Sequence, residues 1–243
     1  MRDRAGADEP RPRALRYAAR HIGSRRPAEE DASMILYDWQ VAPNPRRVRM
    51  YLAEKGLTVE TQQVAPPDSL ELDPEFLAKS PRRRVPLLEL DDGTLIGEAM
   101  AICRYFEILH PEPPLFGRDA REAALVEMWE RESEIAGLHA AAECFRNAVP
   151  AFAGRALPGY PDRVEQIPEL VERGRYRYNV FLEGLDRHLA DNVHLAGDSF
   201  SVADITAFCG IDFARKFRLP VPEELTHLRR WFDAVGGRSS TAA

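Results

Sequence analysis

A single stretch, Ser80 to Glu107, leaves few folds open to this chain. It reads SPRRRVPLLELDDGTLIGEAMAICRYFE. Val85-Pro86 opens a strand over Leu87 to Leu90. Proline has no N–H to give to a ladder, so it belongs at an edge or a bend. Placed just ahead of a buried hairpin, it is also where a cis peptide bond is expected. Asp92-Gly93 is a hairpin turn signal, and Thr94 to Ile96 returns as the partner strand. Gly97-Glu98 then leads into a helix whose apolar residues Ala99, Ile102, Cys103, Phe106 and Leu109 recur at helical spacing. The chemistry of the chain is to be sought around Pro86 and the start of the Glu98 helix.

With 243 residues, 44% of them hydrophobic, the chain can bury a substantial core, as one large domain or two small ones. A net charge of −6 argues against nucleic acid as the main partner. No apolar run approaches the ~20 residues of a membrane-spanning helix, so no membrane partner is expected. Cys103, Cys144 and Cys209 lie far apart and form no CxxC pair. That pattern argues against a disulfide framework or a metal site and fits a reducing, cytoplasmic location.

Residues 1–33 are rich in both arginine and acids and poor in large apolar residues. They are expected to be a disordered tail, not a secretory signal, because no apolar segment follows the basic start. A translation start at Met34 would explain the contrast; removing residues 1–33 would then leave folding and activity intact. From Met34 the pattern is strand (MILY), helix, strand (Leu57 to Val64), short helix after Asp73-Pro74, the hairpin, and the Glu98 helix. In the first helix Asn44 is expected as N-cap and Pro45 as first helical residue, with Gly56 as the stop. A strand–helix–strand start implies a right-handed parallel crossover, so residues 34–110 read as a small α/β domain. Pro111-Glu112-Pro113-Pro114 marks a linker over 111–118. Residues 119–243 carry helix signals alone: Asp119 to Val149, Pro168 to Ala190, a capping box at Ser201 to Asp204, and Glu223 to Val235.

Taken together, Val85-Pro86 before a strand, Asp92-Gly93, Glu98-Ala99-Met100-Ala101-Ile102 opening a helix, and Ser201 to Asp204 resemble the cytosolic (bacterial-type) glutathione S-transferase family, over about residues 34–240. The resemblance implies a thioredoxin-like N-terminal domain, a helical-bundle C-terminal domain and a homodimer. It implies glutathione as co-substrate, its thiolate adding to a hydrophobic electrophile, with glutathione-dependent peroxidase activity as a further outcome. Glutathione is an extended tripeptide with two carboxylates, an ammonium and a thiol. Such a backbone suits strand-like pairing, which the resemblance gives to the main chain of Val85 beside Pro86. Glu98 matches the ammonium, the helix N-terminus at Ala99 a carboxylate, and Arg84 the other carboxylate. The electrophile pocket is implied between the domains, with Trp39, Trp129 and Arg131 as candidates.

Two positions depart from the family pattern. Many members have serine where Ala99 stands, and serine-type members have their activating serine where Ala42 stands. Asn44, two residues on, carries an amide N–H that can donate to a thiolate while its oxygen caps the helix; it is the candidate catalytic residue. Tyr37 is a weaker one. His139 and Cys144 lack spaced partners and are expected to be structural. A non-catalytic glutathione-binding or assembly module with the same fold is the alternative reading.

Overall fold

A computed structural model describes residues 34–66, 71–80 and 82–243. The tail expected over residues 1–33 lies outside the described residues.

Four short strands form one sheet in the order β2-β1-β3-β4. The strand β1 (Ile35–Asp38) pairs in parallel with β2 (Glu60–Gln63) and antiparallel with β3 (Leu87–Glu89), which pairs with β4 (Leu95–Gly97). The helix α1 (Pro43–Glu54) is the crossover from β1 to β2. Leu36, Tyr37, Leu87 and Leu88 are buried, so the two middle strands carry the apolar residues. The strand β2, ETQQ, is exposed throughout and lies at an edge. A short helix, α2 (Pro74–Lys79), is capped by Asp73, whose carboxylate accepts the Glu75 and Phe76 N–H groups. The β3-β4 hairpin closes through Asp91-Asp92-Gly93: the Leu90 N–H donates to the Thr94 carbonyl, and the Gly93 N–H to that of Leu90, both at 2.9 Å. Gly93 has φ +81, the left-handed conformation such a loop needs at its last residue. Val85-Pro86 is cis. The helix α3 (Ala99–Leu109) follows, burying Ala99, Ile102, Cys103 and Phe106. This is a thioredoxin-like sheet layer.

The start of α1 differs from expectation. Its N-cap is Ala42, without a side-chain cap bond, and Pro43 is its first residue. Asn44 therefore does not cap. The physical reason lies in the prolines: Pro43 and Pro45 have no N–H to satisfy, and the Ala42 N–H already donates to the Trp39 carbonyl. From Ala42 to Pro45, the Asn44 backbone N–H is the one without a partner among the described residues.

The second half is helical. The helix α4 (Ala120–Glu132) passes through a π-helical turn (Ser133–Leu138) into α5 (His139–Ala148). Then come α6 (Pro168–Leu189), α7 (Val202–Arg215) and α8 (Thr226–Gly236). α7 is buried along nearly its whole length. Its start is pinned as the sequence predicts: the Ser201 N–H donates to Asp204 Oδ2 at 3.1 Å and the Ala203 N–H to Ser201 Oγ at 3.3 Å. The fully buried Asp204 also accepts the Leu195 N–H and the Trp231 indole N–H, which ties α8 to the same carboxylate. One hydrophobic core runs from Leu36 and Val48 through Ile102 and Leu138 to Ile211 and Val235. The sheet layer and the helices thus share a core, and the seam between them is where side chains from both can converge.

Candidate active site

Along that seam opens a cavity of about 1610 Å³. Trp39, Asn44, Arg84, Val85, Pro86, Glu98, Ala99 and Arg131 all line it. Eight of the nine sequence-derived site residues are therefore gathered in one place. The ninth, Trp129, does not line it; its indole packs on the His188 ring, centroids 4.1 Å apart, and belongs to the helical core.

The rim is built by the hairpin and α3. Glu98 sits just ahead of α3 with φ +71 and ψ 124, a conformation that costs a non-glycine residue roughly 1–3 kcal/mol and is concentrated at functional positions. That backbone holds a half-exposed carboxylate at the cavity mouth, 3.7 Å from the Arg84 guanidinium. A cation and an anion side by side suit a ligand with an ammonium and carboxylates.

The floor is built by α1. Arg47, 1% exposed, fans its donors to four partners. Its Nη1 donates to Asn44 Oδ1 and to Glu134, both at 2.9 Å; Nη2 donates to Glu130 at 2.6 Å; Nε donates to Thr206 Oγ1 at 3.0 Å. This side chain clamps α1, α4, the π-helical turn and α7 together. Breaking one member of such a buried pair costs about 3–5 kcal/mol. Burial pushes the Glu130 carboxyl up against the pull of Arg47. At Glu134 burial acts the same way, but Arg47 and Arg131 outweigh it and hold the carboxyl below its ordinary value.

Guanidinium can only donate. The atom of Asn44 facing Arg47 must be its oxygen, so the NH₂ is turned away from Arg47. The first turn of α1 thus offers, from one residue, an amide N–H and a backbone N–H without a partner among the described residues, at the positive end of a helix. Sequence reasoning missed Arg47; nothing in the spacing marks an arginine inside an apolar helix face as anything but surface.

Other titratable groups divide clearly. The Tyr37 hydroxyl donates to Glu89 at 2.6 Å and accepts from Lys79 Nζ at 2.7 Å. Burial and the Glu89 carboxylate push its pKa up, and it is not part of the cavity lining. Burial likewise raises Cys103, Cys144 and Cys209, the last to about 11. His139 lies in the cavity wall, and burial lowers its pKa. Among the described residues, no group of three or more His, Cys, Asp or Glu could hold a metal ion, and no helix is long and apolar enough to cross a membrane.

The far wall consists of a loop and aromatic residues with no sequence signature. Phe145, Arg146, Phe152, Phe213 and Phe217 face the cavity, as does the turn-rich segment from Ala153 to Arg163.

Comparison with known proteins agrees with this architecture. Residues 36–114 match the N-terminal domain of glutathione S-transferase and residues 144–238 its C-terminal domain. Glutathione S-transferase 2 of Saccharomyces cerevisiae is 37% identical over 212 residues, covering 85% of this chain and 87% of that protein. The crystal structure of a glutathione S-transferase domain-containing protein from Marinobacter aquaeolei superposes with a TM-score of 0.77 at 34% identity, over 85% of this chain and 99% of that one. Elongation factor 1-gamma 2 of Oryza sativa is 33% identical over 164 residues, 65% of this chain but 35% of that longer protein. Motifs, fold, site and relatives converge: the chain belongs to the cytosolic glutathione S-transferase family.

Proposed function

We propose that this protein is a cytoplasmic enzyme that adds the glutathione thiolate to electrophilic small molecules. Glutathione lies along the rim, its cysteinyl backbone paired to the main chain of Val85 beside Pro86. Its ammonium meets Glu98, one carboxylate the helix start at Ala99, and the other Arg84. Asn44 donates to the sulfur. The thiolate attacks the electrophilic carbon, a C–S bond forms, and the leaving group departs with the bonding pair. Asn44 lowers the thiol pKa by stabilising the anion, since a free thiol near pH 7 is mostly protonated. The observation that carries this reading is the Arg47–Asn44 bond, which fixes the amide with its donor away from Arg47 on a residue of the cavity lining.

Ala99 offers no hydroxyl to the γ-glutamyl carboxylate. One charge-assisted bond is worth roughly 1.5–3 kcal/mol, so glutathione affinity is expected to be ~10- to 100-fold below that of a serine-bearing site. Homodimerisation is part of the proposal. Ile108 (66% exposed) and Met128 (51% exposed) lie on α3 and α4, which the Arg104–Glu127 ion pair links at 3.5 Å; they offer an apolar contact for a second copy.

The likeness to elongation factor 1-gamma favours a second reading: a non-catalytic binding or assembly module. Calorimetric titration with glutathione, followed by a conjugation assay with chlorodinitrobenzene, separates the two. Saturable binding with turnover supports the transferase. No binding at millimolar glutathione supports the module.

A further inference from the structure

One segment of the cavity wall comes from the helical half and reaches across to the rim. It is the loop between α5 and α6, from Gly154 to Val164. Two backbone bonds close its neck: the Ala156 N–H donates to the Val164 carbonyl and the Val164 N–H to the Gly154 carbonyl, both at 3.0 Å. Gln166 fastens the base, its amide donating to the Arg146 and Val149 carbonyls at 2.7 and 2.8 Å. The Ile167 N–H donates to Asn147 Oδ1 at 2.8 Å. The loop is thus an arm held at its root by the end of α5.

Along the arm sits Gly159, with φ +87. A Cβ added there would lie 2.5 Å from Arg84 Nε, 2.7 Å from the Arg82 carbonyl oxygen and 3.1 Å from Arg84 Cγ. Backbone and side chain of the 82–84 segment therefore press on a residue that has no side chain of its own. The same Arg84 guanidinium stands 3.7 Å from Glu98, and the next residue is Val85. A half-exposed arginine has many rotamers in solution. Held by an ion pair and by the arm it has few, so part of the ordering cost is met before a ligand arrives. Gly154 makes a useful contrast. It too has positive φ, +74, but the nearest neighbours of an added Cβ are atoms of the exposed Arg163 side chain, at 3.0 to 3.1 Å, which can swing aside.

We propose that Gly159 is a positioning residue for ligand recognition: its missing side chain lets the arm seat Arg84 beside Glu98, a role that rests on Arg84 taking a glutathione carboxylate as described above. An added Cβ either displaces Arg84 or lifts the arm off the rim. Both loosen the guanidinium and leave Glu98 in place.

The test is calorimetric titration of glutathione into the full chain, as wild type, Gly159→Ala, Gly154→Ala, Arg84→Gln and the double variant Gly159→Ala with Arg84→Gln. Gly159→Ala is expected to weaken binding by about tenfold, the scale of one charge-assisted bond. Gly154→Ala, which strains the same loop without touching Arg84, stays within about twofold of wild type. Once Arg84 is glutamine, adding Gly159→Ala costs less than about twofold, because the group it acts through is gone. Wild-type affinity in Gly159→Ala overturns the proposal, as does an equal loss in Gly154→Ala or a full loss that persists without Arg84. Hydrogen exchange on the wild type decides the matter if Gly159→Ala does not fold. Saturating glutathione is expected to slow exchange of the Ala156 and Val164 amides, since ligand and arm stabilise each other through Arg84; unchanged exchange overturns the role. A wild type that binds no glutathione removes the transferase reading and this role together, whereas additive effects in a wild type that does bind remove the role of Gly159 alone.

Discussion

Glu98 combines two properties that a substitution can pull apart. Its backbone sits at positive φ, which favours glycine, and its carboxylate stands at the cavity mouth. Glu98→Gly is expected to raise thermal stability by the equivalent of ~1 kcal/mol, because the strain is relieved. The same change should weaken glutathione binding by ~10-fold or more, because the ammonium loses its partner. Thermal melts and calorimetry on one preparation read both. A variant that loses stability together with binding would mean that the carboxylate serves the fold. Arg47 is legible in the opposite sense. In the sequence it is one of the arginines of Arg46-Arg47-Val48-Arg49, with no mark of its own; its donors reach Asn44, Glu130, Glu134 and Thr206, partners up to 159 positions away. Such a contact has no local signature, because no periodicity marks which arginine will be buried.

At the scale of elements, what could be read was what a segment decides for itself. The hairpin at Asp92-Gly93, the capping box at Ser201–Asp204 and the strand–helix–strand start depend on turn chemistry and apolar spacing, and each formed where expected. The first residue of α1 did not, because Pro43 and Pro45 compete for the same role and the earlier one prevailed. The π-helical turn between α4 and α5 was invisible, since an extra residue in a turn leaves the apolar pattern nearly unchanged. Contact between helices sets a further constraint. α6 approaches α5 so closely at Gly174 that an added Cβ would lie 2.8 Å from the Ala140 carbonyl oxygen and 2.9 Å from Cys144 Sγ. The backbone oxygen cannot swing aside. Gly174→Ala, although better suited to a helix by about 1 kcal/mol, is expected to be destabilising by ~1–3 kcal/mol through overpacking. Denaturant unfolding measures the sign directly; a stabilised variant would show that the two helices can separate at no cost.

The whole molecule is held together across the seam by its last residues. Arg238 donates to both Glu54 oxygens, at 2.8 and 2.7 Å, and Ser240 Oγ donates to the same carboxylate, so the chain end is strapped to α1. At Glu54 burial pushes the carboxyl up, but the Arg238 and Ser240 bonds outweigh it and hold the pKa below its ordinary 4.5. A carboxyl depressed in the folded state stabilises the protein above its unfolded value and loses that contribution as pH falls through the folded one. Glu54→Gln should therefore cost about 1–2 kcal/mol near neutrality, with the gap to wild type closing as the pH drops below 4.5. Melts at several pH values read this, and a gap independent of pH would contradict it. The aromatic far wall, like this strap, joins residues from distant parts of the chain, and neither was legible in the sequence. The glutathione rim was, because Arg84, Val85, Pro86 and Glu98 lie within one continuous stretch.

The functional account stands or falls on the sulfur partner, since Ala42 and Ala99 remove the hydroxyls that the family pattern offers. The decisive measurement is the ultraviolet thiolate absorbance of bound glutathione against pH, in the wild type and in Asn44→Ala. Donation from Asn44 predicts thiolate at neutral pH in the wild type and an apparent pKa about one unit higher in the variant, the equivalent of one hydrogen bond to the anion. An identical titration in the two proteins would show that Asn44 does not touch the sulfur.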